Sequence, residues 1–203
     1  SSGAIYGEHT DTQVNEHLPP KPTSPYAVSK LCAEHYVTSI GHLWGIETVM
    51  LRVFNAYGPR QPLPLSHPPV IPQIMQQMLW EGSVTIHGDG NQIRDFVYID
   101  DVIDALVTAA TAKNVDQKII NIGSGIGTSI NELVSLAEQT LQRKAQVLHV
   151  SSNNGGVSHL VANIDLAQTL LDYKPRIALS QGLAKLVKFD KRFSSSQVAA
   201  SVS

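Results

Sequence analysis

The chain has 203 residues and a formal net charge of -2; 42% of its residues are hydrophobic and 16% are charged. Such a composition is typical of a globular chain with a proper core, and the charge gives no electrostatic reason to expect nucleic acid or an anionic membrane as partner. No apolar run approaches the roughly 18 residues of a membrane span, no secretory signal is visible, and the single Cys32 excludes an internal disulfide, so we predict a cytoplasmic protein.

The first strong local pattern is the segment SPYAVSK, which begins at Ser24. Pro25 suits the first position of a helix and Ser24 suits its N-cap, which predicts a helix over about 25–43. Tyr26 and Lys30 are four residues apart, so both side chains lie on one face of that helix as neighbours. Tyrosine titrates near pH 10 in water, and a cation in a partly desolvated pocket stabilises its phenolate. The pair therefore indicates a tyrosine that exchanges protons.

The rest of the chain alternates predicted strands with predicted helices. The mostly apolar segment TVMLRVF predicts a buried strand over about 47–54, and proline dominates a connecting loop from 59 to 72. Further strands are predicted at about 84–87, 95–99 and 118–122, helices at about 70–80, 100–112 and 128–142, and shorter elements near 145–150, 165–171 and 180–188. This alternation predicts an α/β fold with parallel strands.

A glycine cluster at residues 123–127 follows an apolar run and precedes a predicted helix. Its spacing is GxGxG, without the third glycine of a dinucleotide fingerprint and without an acidic residue about 20 positions later at a strand end. We therefore predict a structural turn here rather than a cofactor site. Asp95, Asp100 and Asp101 are predicted to be caps and helix-dipole partners. The eight histidines lack paired spacing, so no metal site is predicted.

The ordered strings SSGAIYGE, PTSPYAVSKLCAEHY, LRVFNAYGPRQ, IHGDGNQIRDFVYIDDV and INIGSGIGTSINELV resemble the extended short-chain dehydrogenase/reductase family. The match is to its NAD-dependent nucleotide-sugar epimerase/dehydratase branch, which includes UDP-glucose 4-epimerase-like proteins, and it runs from Ser1 to about Phe189. Members of this branch open with a glycine-rich cofactor motif, so we expect the chain to be a fragment that lacks it. We also expect the 203-residue piece alone to be inactive.

The resemblance implies the C-terminal part of a Rossmann-type doubly wound parallel sheet with a smaller α/β substrate-binding portion. Residues 1–58 and 94–123 would belong to the NAD-binding Rossmann domain. Residues 59–93 and 124–190 would form the substrate-binding portion. Residues 191–203 are predicted to be a disordered tail, because their sequence is low in complexity.

The resemblance also implies roles for individual residues. Ser2, Tyr26 and Lys30 would be catalytic, with Tyr26 removing the hydroxyl proton of the sugar and Lys30 binding the nicotinamide ribose. Tyr26, Lys30, Val53 and Phe54 would contact the cofactor, although plain core packing is an equal alternative for Phe54. Ser2 would bind the sugar hydroxyl. The substrate diphosphate would be bound by Asn55, for which a turn-stabilising role is the alternative, and by Arg94.

The branch includes 4,6-dehydratases that carry Thr-Asp-Glu where this chain has Ser2-Gly3-Ala4. The missing carboxyl groups favour a 4-epimerase that acts on a nucleotide-diphosphate sugar through a transient 4-keto sugar. The resemblance implies NAD as its cofactor, in preference to NADP. A reductase or dehydratase of the same family and a non-catalytic nucleotide-sugar-binding paralogue are the alternatives. Family members also suggest a homodimer through the helix that carries Tyr26.

One stretch departs from the family pattern. Related proteins carry an arginine-containing PRPGD-type string followed by Ala-Asp, whereas this chain has Asn153, Gly156 and then Ala162-Asn163. Because that arginine contacts the nucleotide in the family, the sequence leaves open which nucleotide is bound.

Overall fold

A computed structural model describes residues 1–9, 11–64, 68–151 and 157–193. The helices are α1 Pro25–Trp44, α2 Val70–Trp80, α3 Ile99–Ala109, α4 Ile130–Leu141, α5 Asp165–Leu171 and α6 Leu179–Phe189, with 3₁₀ helices at Gly3–Tyr6 and Lys191–Phe193. The strands are β1 Val49–Val53, β2 Asn55–Tyr57, β3 Ser83–His87, β4 Ile93–Tyr98, β5 Lys118–Ile122, β6 Gly127–Ser129, β7 Gln146–Val150 and β8 His159–Leu160. The predicted α/β class is confirmed.

Parallel pairing dominates the sheets, as the predicted fold class requires. Strand β1 pairs in parallel with β5, with Leu51 opposite Ile120, and β3 pairs in parallel with β7. Strand β4 lies between β2 and β6 and also pairs in parallel with β8. The predicted elements are present with ends shifted by a few residues, whereas β2, β6, β8 and the first 3₁₀ helix were not predicted. These four are only two to four residues long, too short to show a period in the sequence.

The described residues divide into two compact units. The first includes those within 1–56, 93–127 and 156–176, and the second those within 57–92, 128–155 and 177–203. The predicted division differs chiefly at 157–176, which it placed in the substrate portion. In the structure this segment belongs to the first unit, because β8 pairs with β4 and α5 packs against β5. The core of the first unit includes the fully buried side chains of Ile5, Val14, Ile120, Ile122 and Ala162.

Both ends of α1 follow the predicted local chemistry. The Ser24 hydroxyl oxygen accepts a hydrogen bond from the backbone N–H of Ala27, so Ser24 is the N-cap, and Pro25 is the first helical residue. Gly45 ends the helix with φ of 64°, a left-handed conformation that glycine adopts without steric cost. Tyr26 is therefore fixed in the first turn of a 20-residue helix.

The glycine-rich turn after β5 binds an anion that belongs to the chain itself. The Asp95 carboxylate is fully buried and accepts hydrogen bonds from the Ser124 backbone N–H and hydroxyl and from the backbone N–H groups of Gly125 and Ala162, at 2.6–3.1 Å. A Cβ on Gly123 would lie 2.5 Å from this carboxylate. The predicted structural turn is therefore present. The prediction that Asp95 is a cap was wrong, because Asp95 lies within β4.

The prediction of a disordered tail was wrong for residues 191–193. Lys191–Phe193 form a 3₁₀ helix with Phe193 only 1% exposed, and residues 194–203 lie outside the described residues. The Asp190 carboxylate accepts hydrogen bonds from the Arg60 backbone N–H and from the side chain of Arg192. This carboxylate therefore holds the start of the final segment against the loop after β2.

The described ranges contain neither a membrane-spanning helix nor a cluster of metal-ligating side chains. None of their helices combines the length and apolar character that a bilayer span requires. Within the same ranges, no three histidine, cysteine or acidic side chains gather as metal ligands.

We predict that Asp95→Ala lowers the free energy of unfolding by about 3–5 kcal/mol, because several buried donors lose their acceptor at once. Asp116→Ala is the matched control, since that carboxylate accepts one exposed hydrogen bond from the Thr48 backbone, and we expect it to cost less than about 1 kcal/mol. Urea denaturation followed by circular dichroism measures both. Equal losses in the two variants would contradict the role of Asp95.

A second prediction concerns acid stability. Hydrogen bonds from Arg192 lower the pKa of Asp190 from 3.8 to about 2, despite the opposing effect of burial. A carboxylate whose pKa is depressed in the folded state contributes stability above its unfolded pKa and loses it as pH falls through its folded pKa. Asp190→Asn should therefore lose less unfolding free energy than the wild type between about pH 4 and about pH 2. Asp172→Asn, at an exposed ion pair with Lys174, should leave the wild-type acid dependence intact.

Candidate active site

The predicted tyrosine–lysine pair forms in the structure. Tyr26 and Lys30 lie one turn apart on α1, and the Lys30 ammonium nitrogen is 5.4 Å from the centroid of the Tyr26 ring. The Tyr26 side chain is 55% exposed and Lys30 is half-buried. An ammonium group at this distance is attracted to the face of the ring. The hydroxyl of Tyr26 is accessible to a small molecule.

Ser2 lies beside the end of β1. It forms an isolated parallel bridge with Val53, which brings the predicted catalytic serine next to the predicted cofactor residues Val53 and Phe54. The Ser2 oxygen caps the first 3₁₀ helix by accepting a hydrogen bond of 3.2 Å from the Ala4 backbone N–H. Because that oxygen acts as an acceptor, the hydroxyl proton of Ser2 can be donated to a ligand.

The two predicted substrate residues meet at β4. The Asn55 amide nitrogen donates a 3.0 Å hydrogen bond to the backbone carbonyl of Asp95, the residue that follows Arg94. Within the described residues, the Arg94 guanidinium donates one hydrogen bond, to the Ile93 carbonyl, so its other N–H groups can bind a ligand. Burial lowers the pKa of Arg94 and the charge of Glu8 raises it, but an arginine remains cationic at neutral pH.

Phe54 is buried, with 6% of its surface exposed, and its ring packs against Gly3. A Cβ added to Gly3 would lie 3.0 Å from two carbon atoms of that ring, closer than ordinary van der Waals contact. The turn after Ser2 therefore has no room for a larger side chain unless the ring moves.

A buried charged network underlies these residues. Arg52 on β1 donates to both carboxylate oxygens of Glu34 on α1, at 2.9 and 2.8 Å, and to the Tyr6 hydroxyl at 2.9 Å. The Tyr6 hydroxyl in turn donates to the Asn121 amide oxygen on β5 at 2.8 Å. All four residues are at most 4% exposed. The network joins the serine segment, the helix of the tyrosine and two strands of the sheet.

Ser1 joins the same network from the chain surface. Burial raises the pKa of Glu34, but hydrogen bonds from Arg52 and Ser1 outweigh this effect and hold the pKa below its ordinary value. The 3₁₀ helix Gly3–Tyr6 of the serine segment also packs against α1. The serine segment therefore lies near the face of α1 that carries Lys30 and Glu34.

The predicted site residues thus form two clusters within the first unit. Ser2, Val53 and Phe54 lie together near α1 with its pair Tyr26 and Lys30, and a second cluster contains Asn55 and Arg94. Within the described ranges, no hydrogen bond or ion pair joins the tyrosine–lysine pair to the second cluster.

Sequence reasoning missed the network members. One signal for Glu34 was available, since Tyr26, Lys30 and Glu34 recur at four-residue spacing. Another was Arg52, a charge inside an otherwise apolar strand. Asn153 and Gly156, which the sequence placed at a nucleotide contact, lie outside the described residues.

A parallel α/β unit with a tyrosine and a lysine one turn apart on a helix, beside a serine at a strand edge, defines a short-chain dehydrogenase type of protein. Comparison with known families supports this class, because the family model described as NAD dependent epimerase/dehydratase matches residues 1–123. The chain belongs to this family. The predicted family is confirmed.

Relatives within the family include named epimerases. The chain is 38% identical over 191 residues to a putative UDP-glucose 4-epimerase of Methanocaldococcus jannaschii, covering 94% of this chain and 61% of that protein. It is 33% identical over 184 residues to a UDP-glucuronate 4-epimerase of Thermodesulfobacterium geofontis, covering 90% of this chain and 54% of that protein.

A solved structure gives the same result. A UDP-glucuronic acid 4-epimerase from Bacillus cereus, in complex with UDP-glucuronic acid and NAD, superposes with a TM-score of 0.87 at 37% identity. The match covers 96% of this chain and 60% of that one. The chain therefore spans about three fifths of the length of such relatives.

Proposed function

We propose that the full-length protein containing this chain is an NAD-dependent 4-epimerase of nucleotide-diphosphate sugars. The observation that carries the proposal is the Tyr26–Lys30 pair, with 5.4 Å between ammonium and ring, on the helix whose Glu34 is bonded into the same network as the serine segment. The named 4-epimerases among the relatives and the NAD in the Bacillus cereus structure support it.

In this proposal Tyr26 accepts the proton of the sugar 4-hydroxyl while Ser2 donates a hydrogen bond to the same oxygen. Lys30 stabilises the phenolate that exists before the proton arrives. NAD, when bound, takes the hydride from C4 and later returns it. The resulting 4-keto sugar turns in the site, and Tyr26 then returns the proton to the oxygen as the opposite face of C4 is reduced.

The residues present fit a bound dinucleotide at its nicotinamide end. The half-buried Lys30 ammonium makes no ion pair within the described ranges, so its N–H groups can donate to ribose hydroxyls. Val53 lies at the carboxyl end of a parallel strand, the edge at which α/β sheets bind ligands, and Phe54 follows it. We therefore keep Tyr26, Lys30, Val53 and Phe54 as the proposed cofactor contacts.

The second cluster would hold the diphosphate of the substrate. The guanidinium of Arg94 presents N–H donors in a fork that matches phosphate oxygens, and the amide of Asn55 retains an acceptor oxygen and a second N–H. The relatives are named for UDP-sugars, and a uridine nucleotide is accordingly our first candidate.

The contact between Gly3 and Phe54 favours epimerisation over dehydration. Elimination of water by 4,6-dehydratases resembling this family uses a carboxyl group at the position that Gly3 holds here. The 3.0 Å approach of the Phe54 ring leaves little space for such a side chain. A site that supports only hydride removal and return suits a 4-epimerase, and a reductase of the same branch is the second candidate that this contact permits.

Tyr26→Phe should lower kcat of the full-length enzyme by at least about 10³-fold, because the phenol oxygen that exchanges the proton is lost. Tyr36→Phe is the matched control, since Tyr36 lies on the same helix and is 71% exposed. Turnover is followed as interconversion of UDP-glucose and UDP-galactose, and of UDP-glucuronate and its C4 epimer. Wild-type rates in Tyr26→Phe would refute the assignment, and a full-length protein that turns over neither pair would refute uridine as the nucleotide of the substrate. The 203-residue chain alone is expected to show no turnover.

We further propose that α1 pairs with a second copy of this protein in the cytoplasm. Its C-terminal half presents Tyr36, Ile40, Leu43 and Trp44 at spacings of four, three and one residues, which places them on one face. Leu43 and Trp44 are 78% and 72% exposed. Large apolar side chains that cluster on a surface are typical of protein interfaces.

Ile40→Glu combined with Leu43→Glu should convert a dimer to a monomer, because two charges would be buried without partners. Sedimentation velocity of the full-length protein measures the mass of both forms. Trp80→Glu, at an exposed apolar residue on α2, is the control and should leave the mass unchanged. A monomeric wild-type protein would contradict the proposal.

A further inference from the structure

Lys30 and Glu34 stand at the helical spacing that normally produces an ion pair. Residues four apart on a helix are neighbours, and an ammonium and a carboxylate at this spacing attract each other. In the structure both Glu34 oxygens are instead bonded to Arg52, whose Nε and Nη2 lie 2.9 and 2.8 Å away. Lys30 turns the other way along the helix, and its nitrogen lies 5.4 Å from the centroid of the Tyr26 ring.

The same guanidinium also holds the serine segment. The Nη1 of Arg52 donates to the Tyr6 hydroxyl at 2.9 Å, and its central carbon lies 4.8 Å from the centroid of the Tyr6 ring. Tyr6 ends the 3₁₀ helix that Ser2 caps. One side chain on β1 is therefore bonded to the helix of the proposed base and to the segment of the proposed hydrogen-bond donor.

We propose that Arg52 is a positioning residue for catalysis: by binding the Glu34 carboxylate, it leaves the Lys30 ammonium free to serve Tyr26. This inference rests on the proposed function of the site. Without Arg52, the buried carboxylate of Glu34 would have no cationic partner on β1. The ammonium of Lys30, the nearest cation on the same helix, would then pair with it. Lys30 would then move from Tyr26 toward Glu34.

The charged and titratable groups around Glu34 come from three elements. Arg52 faces it from β1, Lys30 precedes it on α1, and Ser1 donates a hydrogen bond to it from the serine segment, where Tyr6 is also bonded to Arg52. Arg52 is the group that contacts both oxygens of the carboxylate, so its removal changes the partner of Glu34 most directly.

Stability alone is a poor explanation for such a pair. The Arg52 and Glu34 side chains are 3% and 5% exposed, and apolar replacement of a buried ion pair is often neutral or stabilising. What an apolar pair cannot do is neutralise a carboxylate placed four residues after Lys30. The role that remains is to decide which partner the lysine takes.

The test compares Arg52→Met with Arg52→Met/Glu34→Gln in the full-length enzyme. In Arg52→Met the acidic limb of the pH profile of kcat/KM should move up by about one unit, which lowers kcat/KM at pH 7 about tenfold. In the double variant no carboxylate competes for Lys30. Its profile should return to that of the wild type within about threefold.

Two results would overturn the inference. A wild-type pH profile in Arg52→Met would show that Glu34 does not pair with Lys30. A shift of the profile that persists in the double variant would show that Arg52 acts only through folding. Thermal melting tests whether each variant is folded at the assay temperature. If Arg52→Met is unfolded, Arg52→Gln takes its place in both variants, because glutamine can still donate a hydrogen bond to Glu34 but carries no positive charge.

A spectroscopic readout separates this inference from the proposed function. The absorbance of tyrosinate is followed against pH, a measurement that needs no turnover. The part of the change that is lost in Tyr26→Phe is the signal of Tyr26. Its midpoint pH should rise in Arg52→Met and return in the double variant. An inactive wild-type enzyme with this pattern would refute the epimerase proposal alone, whereas an unchanged midpoint would refute the positioning role alone.

Discussion

A buried cation must be neutralised, and the way in which Arg52 is neutralised organises the first unit. Arg52 lies on β1 and is 2% exposed, so the cost of removing its guanidinium from water has to be offset by Glu34 and by the hydroxyl and aromatic face of Tyr6. Loss of one partner from such a buried pair costs about 3–5 kcal/mol. Since the partners come from α1 and the serine segment, the folded sheet, the helix and the turn adopt one arrangement.

Asp95 shows the opposite solution for a buried anion. No cation pairs with it among the described residues; instead a turn rich in glycine surrounds its oxygens with backbone N–H groups. The geometry is that of a phosphate-binding loop whose anion is supplied by the protein. The backbone N–H groups of Ser124 and Gly125 in the glycine cluster are thus occupied by a side chain of the protein. It also fixes β4, on which Arg94 and the partner carbonyl of Asn55 lie.

The function that we propose depends on what these two buried charges leave at the surface. One places a tyrosine and a lysine on an accessible helical turn near a serine, and the other places an amide and a guanidinium at a strand. In our proposal, a base for a hydroxyl proton and a pair of phosphate donors are what these residues contribute to the chemistry on a nucleotide sugar, and NAD would supply the hydride acceptor. The tight contact between Gly3 and Phe54 favours hydride removal and return over elimination of water.

The sequence by itself determined the elements, the family and the candidate residues, because these depend on local rules: Ser24 and Pro25 start a helix, four-residue spacing joins Tyr26 to Lys30, and apolar runs form parallel strands. It missed the short strands and misjudged Asp95, because neither has a local signature. Only the tertiary structure decided that Glu34 bonds to Arg52 rather than to Lys30. Arg52 and Lys30 both carry the positive charge that can pair with Glu34. Which of them binds it depends on how β1 packs against α1, a contact between residues 18 positions apart.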